Sequence, residues 1–145
     1  MYIESLTNAD ALPTLAASMQ FAARRHELIT HNIANLSTPM FQPKDVSVRG
    51  FQENLGEAID GRRRARMGNG GPLNMESSRE VKVSAGRLSL EPEEPSGNVL
   101  FHDRNNRDLE RTMQDLAENF AALRVTSELM RSRMGILSAA ITLRP

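Results

Sequence analysis

A heptad stripe near the C-terminal end is the feature that most constrains how this 145-residue chain can fold. Within residues 109–141, apolar side chains recur at alternating spacings of four and three. The stripe comprises Leu109, Met113, Leu116, Phe120, Leu123, Met130, Met134, Leu137 and Ile141. Ser127 takes the polar position of the series, and Gly135 lies off the stripe. Such a sustained repeat predicts a long helix that buries one face against other helices.

A second heptad stripe occupies the N-terminal end of the chain. It comprises Leu12, Leu15, Met19, Ala22, His26, Ile29, Ile33 and Leu36. We expect Asp10 to cap the start of this helix, and Pro39 to end it by disfavouring helical geometry at Thr38. Because the two stripes match, we predict a mainly α fold in which both helices pair as an antiparallel coiled coil. Two amphipathic helices of an ordinary small bundle are the simpler alternative.

Three segments follow from these patterns. Residues 1–39 are the N-terminal coiled-coil helix, 40–104 an extended loop and small β insert, and 105–145 the C-terminal coiled-coil helix, with the two ends forming one helical domain. Asn105 or Asn106 is expected to cap the returning helix.

Within the insert, Phe51 and Leu55 are placed to anchor a short amphipathic piece. Residues 79–83 and 87–90 alternate at period two around a Ser-Ala-Gly turn, which predicts a hairpin. The Gly- and Arg-rich string at 61–72 predicts a loop. The insert has few apolar residues, so we expect it to order only against neighbouring structure.

Both predicted helices also carry large apolar side chains away from the pairing stripe. These are Phe21, Leu28, Val125, Leu129 and Ile136. A soluble monomer seldom leaves such groups in water as a continuous patch. We therefore predict that these residues form an inter-subunit interface and that the chain self-assembles.

The sequence contains no pattern typical of a catalytic, metal or cofactor site. The absence of cysteine excludes disulfides and thiolate ligands. His26 and His31 are five residues apart, so on a helix they point about 140° away from each other and cannot share one ion. His26 is expected to be a packed, hydrogen-bonded residue of the stripe. The Gly-rich string at 68–71 is not followed by the Lys-Ser/Thr of a phosphate loop. We predict that the protein is not an enzyme.

Charge gives little indication of a charged partner. Eighteen basic and eighteen acidic residues cancel, so no global field attracts nucleic acid or an anionic membrane. The arginines at 62–64 and 66 lack interleaved aromatic residues for base stacking, which favours a solvated loop. Residues 1–10 include Glu4 and Asp10 and no apolar core, so we expect no cleaved secretory signal.

Two motifs resemble those of bacterial flagellar rod and hook proteins. The first matches the N-I-A-N-x-x-T-P signature of that family with Asn32, Ile33, Ala34, Asn35, Thr38 and Pro39. The second, typical of proximal-rod members, matches with Asn105, Asn106, Asp108, Leu109 and Glu110, followed by Met113 and by Leu116 to Asn119. Residues 41–45 are similar to the segment that follows the first motif in those proteins.

The resemblance implies a structural subunit of the flagellar proximal rod. Such a subunit polymerises with other axial proteins into the drive shaft and export channel, and it crosses the periplasm. The partners implied are other rod subunits (itself and neighbouring proximal and distal rod proteins), a FliE-type basal-body protein and the flagellar type III export gate. No nucleic acid, small-molecule substrate or cofactor is implied. The helices alone also suit a soluble adaptor or flagellar export chaperone without catalytic activity.

The motif region departs from the family pattern in one informative place. Met40 stands where relatives carry glycine, so a left-handed backbone angle is less expected at this position. Arg107 and Leu123 replace a valine and an aromatic residue. Asn32 and Asn35 have two compatible interpretations: they cap the helix C-terminus, or their amides bond helix backbones or neighbouring subunits where the chain turns outward.

Overall fold

A computed structural model describes residues 11–65, 72–84, 86–93 and 109–142. Within these residues the chain forms α1 (Leu12–Ala34), α2 (Val48–Arg64), β1 (Val81–Ser84), β2 (Arg87–Leu90) and α3 (Leu109–Thr142). The predicted mainly helical fold with a small β element is confirmed. Among the helices so described, none is long and apolar enough to cross a membrane.

Several predictions fall on other parts of the chain. The caps expected from Asp10, Asn105 and Asn106, the motif position Asp108, and the substitution at Arg107 all lie outside the described residues. The same holds for the Gly-rich string at 68–71.

Helix α1 ends at Ala34, ahead of Pro39, because Asn35 terminates it. The Asn35 side-chain amide donates to the His31 carbonyl at 2.9 Å, and its backbone N–H also bonds the carbonyls of the last turn. The capping interpretation of Asn35 is therefore confirmed. Beyond it, Thr38 N–H donates to the Asn35 carbonyl at 2.9 Å, which begins the turn that carries the chain away from the helix.

Met40 adopts the left-handed angle that the sequence argued against. Its φ is 59°, and the expectation drawn from the missing glycine is wrong. The Phe41 N–H donates to the Thr38 carbonyl at 3.3 Å, so Met40 is the third residue of a turn, the position at which type II turns have a positive φ. The Met40 side chain is 75% exposed, so it meets little steric resistance beyond the local backbone cost, about 1–2 kcal/mol for an L-residue.

The insert is more regular than predicted. Ser47 caps α2 by accepting a hydrogen bond from the Gly50 N–H at 3.0 Å. The arginines Arg62, Arg63 and Arg64 form its last turn rather than a loop, where positive charge suits the negative end of the helix dipole. The predicted hairpin is confirmed, with β1 antiparallel to β2 and Val81 opposite Leu90.

The hydrophobic core joins α1 to the insert. Its buried members are Phe21, Val46, Phe51, Leu55, Val81 and Leu88. Phe21, 5% exposed, stacks on Phe51 with ring centroids 4.0 Å apart. Leu28 packs against the same cluster. The prediction that Phe21 and Leu28 face neighbouring subunits is corrected, because the insert of the same chain covers that edge of α1.

Polar bonds hold the hairpin to α1 as well. Gln20 accepts from the Leu88 N–H at 3.0 Å and donates to the Gly86 carbonyl at 3.4 Å. Gly86 has a φ of 75°, which glycine adopts without strain. The described part of the insert thus packs on α1 through apolar contacts and through the side-chain bonds of Gln20.

Helix α3 also packs against α1. Asn119 bonds the Ala22 carbonyl, and Asp115 pairs with Arg25. The side chains of α3 that are not exposed belong to Thr112, Asp115, Leu116, Asn119, Leu123, Thr126, Ser127, Met130 and Leu137.

Five residues of the predicted pairing stripe lie largely outside this contact. They are Leu109, Met113, Phe120, Met134 and Ile141, and they are 44–67% exposed. The physical reason is that two polar residues, Asp115 and Asn119, take positions against α1. The buried face of α3 is accordingly rotated away from the apolar repeat.

Candidate functional site

The features of interest in the described part of the chain are contact surfaces. That part of the chain holds no group of three or more histidine, aspartate, glutamate or cysteine side chains placed to bind a metal ion. His26 was expected to be hydrogen-bonded, yet its Nδ1 atom is buried without a hydrogen-bond partner among the described residues. The residues of interest are those that join α1, the segment after it, and α3.

A buried arginine sits at the centre of this junction. Arg25 is 6% exposed, and its Nε and Nη2 donate to the two carboxylate oxygens of Asp45 at 3.0 and 2.7 Å. Nη2 also lies 3.5 Å from Asp115 Oδ1 on α3. One guanidinium therefore joins three parts of the chain, with the bidentate geometry that makes such pairs strong.

The electrostatics keep Arg25 charged. Burial by itself lowers the pKa of Arg25, but the hydrogen bond and charge of Asp45, together with Asp115, more than offset that effect. The pKa of Arg25 is consequently raised above its ordinary value. A buried cation without such partners would be strongly unfavourable.

Two asparagine amides complete the junction. Asn32 donates to the Lys44 carbonyl at 2.7 Å and accepts from the Lys44 N–H at 3.2 Å, which fastens the chain after the turn back onto α1. Asn119, 5% exposed, donates to the Ala22 carbonyl at 2.8 Å. Asn32 thus bonds the backbone of the non-helical segment after the turn, within one subunit.

The remaining residues of the first motif shape the turn. Thr38 Oγ1 donates to Asn35 Oδ1 at 3.4 Å, and Pro39 is exposed beside Met40. Ile33 is half-buried, and Ala34 is exposed. Arg25 and Asp115, by contrast, were missed, because no spacing rule distinguishes a buried arginine on a helix from an exposed one.

The predicted pairing residues of α1 lie at or near its buried side. Leu12 and Ile29 are buried, and Leu15, Met19 and Ile33 are half-buried. Leu36, also half-buried, lies in the turn after α1 rather than on the helix. On α3, the half-buried members are Leu116, Leu123, Met130 and Leu137. Ser127 bonds the Leu123 carbonyl at 2.7 Å within its own helix.

Two apolar stripes on α3 remain in solvent. The outer stripe consists of Val125, Leu129 and Ile136, which are 49–59% exposed. The flanking stripe consists of the five exposed residues Leu109, Met113, Phe120, Met134 and Ile141. At 3.6 residues per turn, the two stripes lie on nearly opposite sides of the helix, about 180° apart.

An apolar cavity opens where α1 begins and α3 approaches its end. This apolar cavity has a volume of about 490 Å³. Its lining includes Leu12, Pro13, Ala16, Leu73, Met75, Leu88, Met130 and Met134. A second, more polar cavity of about 600 Å³ lies beside α2 and is lined by residues such as Asn54, Glu57 and Arg62.

No protein-family model matches the chain. The chain is similar to the flagellar basal body rod protein FlgB of Yersinia enterocolitica, with 29% identity over 109 residues. That alignment covers 70% of this chain and 72% of the FlgB sequence.

Proposed function

We propose that this chain is a structural subunit of the bacterial flagellar basal-body rod, of the proximal, FlgB type. The observation that carries the proposal is its 29% identity over 109 residues to the rod protein FlgB of Yersinia enterocolitica. The motif at residues 32–39, which resembles the signature of rod and hook proteins, supports the same assignment.

The subunit polymerises through its terminal helices. In this proposal α1 and α3 form an antiparallel coiled-coil pair, and residues 1–39 and 105–145 make one domain of the rod wall. The order of the contacts between Arg25 and Asp115 and between Ala22 and Asn119 supports the antiparallel direction. The outer stripe, which the chain leaves exposed, supports contact with neighbouring subunits.

The wall built in this way forms the drive shaft and encloses the export channel. Its partners are further copies, the adjoining proximal and distal rod proteins, a FliE-type basal-body protein and the flagellar type III export gate. The subunit lies in the rod where it crosses the periplasm and is exported without a cleaved signal peptide. Its action is mechanical, with no substrate or cofactor.

Complementation tests this function directly. A strain that lacks its own copy of the gene receives the wild-type chain, Leu129→Glu, or the control Ala117→Glu, which adds the same charge at an exposed position of α3 off both stripes. We expect the wild type and the control to restore swimming and rod assembly, and Leu129→Glu to restore neither.

Secretion and folding of the variant protein are followed in parallel, so that a failure of assembly is separated from a failure of export. Full motility with Leu129→Glu would contradict an assembly role for the outer stripe. Failure of the wild type to restore motility would contradict the rod assignment itself. Phe21→Glu is unsuitable as a probe of assembly, because Phe21 lies in the core.

A further inference from the structure

We infer that His31 makes the turn after α1 sensitive to pH, because its ring binds Asn35 only when the ring is neutral and stays in contact with Phe41 when the ring is charged. The inference concerns the conformation of residues 31–41 and does not depend on the proposed function. It rests on a closed series of contacts at the end of the helix.

Four residues form this series of contacts. The His31 ring meets the Asn35 amide, with Nε2 and Nδ2 3.4 Å apart. Asn35 Oδ1 accepts from Thr38 Oγ1 at 3.4 Å, and the Thr38 carbonyl accepts from the Phe41 N–H at 3.3 Å. The Phe41 ring then returns to His31, with ring centroids 5.5 Å apart. The His31 ring therefore contacts both the residue that ends α1 and the residue that ends the turn.

The contact between His31 and Asn35 requires one charge state of the ring. The Nδ2 atom of an asparagine amide is a donor, so Nε2 of His31 must accept. A ring nitrogen accepts only when it carries no proton. The contact thus corresponds to a neutral ring with its proton on Nδ1. Protonation of Nε2 places an N–H group against the amide N–H groups and removes the bond.

The Asn35 amide cannot follow the proton without losing another bond. Its Nδ2 also donates to the His31 carbonyl at 2.9 Å, which is the bond that caps the helix. An amide turned end for end would accept from the charged ring, but it would present its oxygen to that carbonyl. We therefore expect the cap to keep its orientation and the charged ring to move away from Asn35.

The Phe41 ring attracts the charged form of His31. The separation of 5.5 Å between the ring centroids falls within the roughly 6 Å over which an aromatic face attracts a cation. His31 also lies in the last turn of α1, where the partial negative charge of the helix C-terminus favours a positive side chain. Protonation consequently exchanges the hydrogen bond to Asn35 for a stronger contact with Phe41.

His31 is not part of the ion pairs around the turn. Its side chain is exposed, and no ion pair joins it to a carboxylate of the described residues. Apart from the cluster of Arg25 with Asp45 and Asp115, the titratable or charged residues on the adjoining parts of α1, the segment after the turn and the first turns of α3 are Glu27 with its partner Arg24, His26, Lys44, Glu110 and Arg111. The Asn35 and Phe41 contacts are therefore the ones that a charge on His31 changes.

NMR spectroscopy of the purified full chain tests the inference, since histidine ordinarily changes its charge between about pH 5 and 8. At the upper end of this range, the ring nitrogen shifts should identify the Nδ1–H tautomer of His31. On acidification, NOEs between the His31 ring and the Asn35 amide should be lost, while NOEs between the His31 and Phe41 rings persist. The Asn35 amide signals should follow the titration of the His31 ring with the same midpoint.

Two variants separate His31 from other titrating groups. His31→Gln changes an exposed side chain to one that stays neutral, and it should abolish the pH dependence of the Asn35 amide signals. His26→Gln, on the same helix, is the matched control and should leave that pH dependence as in the wild type. Circular dichroism reports whether each variant is folded.

Several outcomes would overturn the inference, and three of them need only the wild type. They are an Nε2–H tautomer of His31 at the upper end of the pH range, Asn35 amide signals that stay constant while the His31 ring titrates, and NOEs between the His31 and Phe41 rings that disappear on acidification. A pH dependence of the Asn35 signals that survives in His31→Gln would overturn it as well.

Discussion

Helices α1 and α3 both carry apolar residues on more than one face, but the chain covers them differently. On α1, the pairing side meets α3, and the edge that bears Phe21 and Leu28 packs against the insert. On α3, the outer and flanking stripes remain exposed. A second apolar edge therefore indicates a missing neighbour only when the rest of the same chain does not supply one.

The two helices also differ in how they are held. The α1–insert contact is a hydrophobic core with stacked rings. The α1–α3 contact includes an ion pair between buried Arg25 and partly exposed Asp115, and Asn119 is the buried residue of α3. Full burial of a large aliphatic or aromatic side chain stabilises by about 1.5–3 kcal/mol, so we expect α1 and the insert to be the more stable unit.

Removing the aromatic stack should have the largest effect. Phe21→Ala opens a cavity against Phe51, and we expect the free energy of unfolding to fall by about 3–5 kcal/mol. Urea denaturation measures the loss. Leu129→Ala is the matched control on α3 and should cost well under about 1 kcal/mol, since its side chain is already half exposed. Equal losses in both variants would erase the difference between the two helices.

Breaking the ion pairs of Arg25 should have the second-largest effect on the free energy of unfolding. Arg25→Ala leaves Asp45 and Asp115 without their shared cation, and we expect a loss of about 2–4 kcal/mol, reduced from the fully buried case because both carboxylates are partly exposed. The exposed neighbour Arg24→Ala is the control and should change the free energy of unfolding by less than about 1 kcal/mol. A near-neutral Arg25→Ala would show that the junction does not depend on this residue.

The pH dependence of the same pair follows from the raised pKa of Arg25. A raised folded-state pKa means that the arginine's stabilising contribution is fully present below the unfolded-state pKa and is lost only as the pH rises through the folded-state pKa. That pH range lies above the ordinary pKa of arginine. We therefore expect the contribution of Arg25 to the free energy of unfolding to stay constant between neutral and mildly alkaline pH. Urea denaturation of the wild type over that pH range measures it. A fall in the free energy of unfolding over this range that Arg25→Ala abolishes would contradict the expectation.

Loss of the Asn119 hydrogen bond should destabilise α3 more than α1. Asn119→Ala removes the bond to the Ala22 carbonyl, and we expect about 1 kcal/mol of destabilisation. Hydrogen exchange on dilute protein should show faster exchange in α3 than around Phe21 and Ile29 already in the wild type, and the variant should widen that difference. Strong protection of residues 116–137 in the wild-type monomer would contradict the weaker attachment of α3.

The turn after α1 should show the smallest effect, and in the stabilising direction. Met40→Gly relieves the left-handed backbone angle of Met40, and we expect a gain of up to about 1 kcal/mol, because the loss of unfolded-state entropy partly offsets the relief. Thermal unfolding measures it, with Met40→Ala as the control that keeps a Cβ. Destabilisation by glycine would mean that the Met40 side chain contributes contacts of its own.

Sequence patterns determined where the long helices and the hairpin lie, since heptad spacing and period-two alternation are local properties. Phe51 and Leu55 were identified as anchors for the same reason. The patterns did not determine the rotation of α3. Phe120 is far more apolar than Asn119, so hydrophobicity alone predicts that Phe120 faces α1. Asn119 faces α1 instead, because its amide donates to the Ala22 carbonyl.

Tertiary structure alone decided three further features of this protein. Phe21 turned inward because an insert with few apolar residues folds back onto α1, which is a long-range event that no local spacing reports. Arg25 is buried because Asp45 and Asp115 arrive from distant parts of the chain. Met40 has a left-handed angle at the third residue of the turn that the Phe41–Thr38 backbone bond closes. Local periodicity sets the elements, whereas contacts between distant residues set which faces they bury.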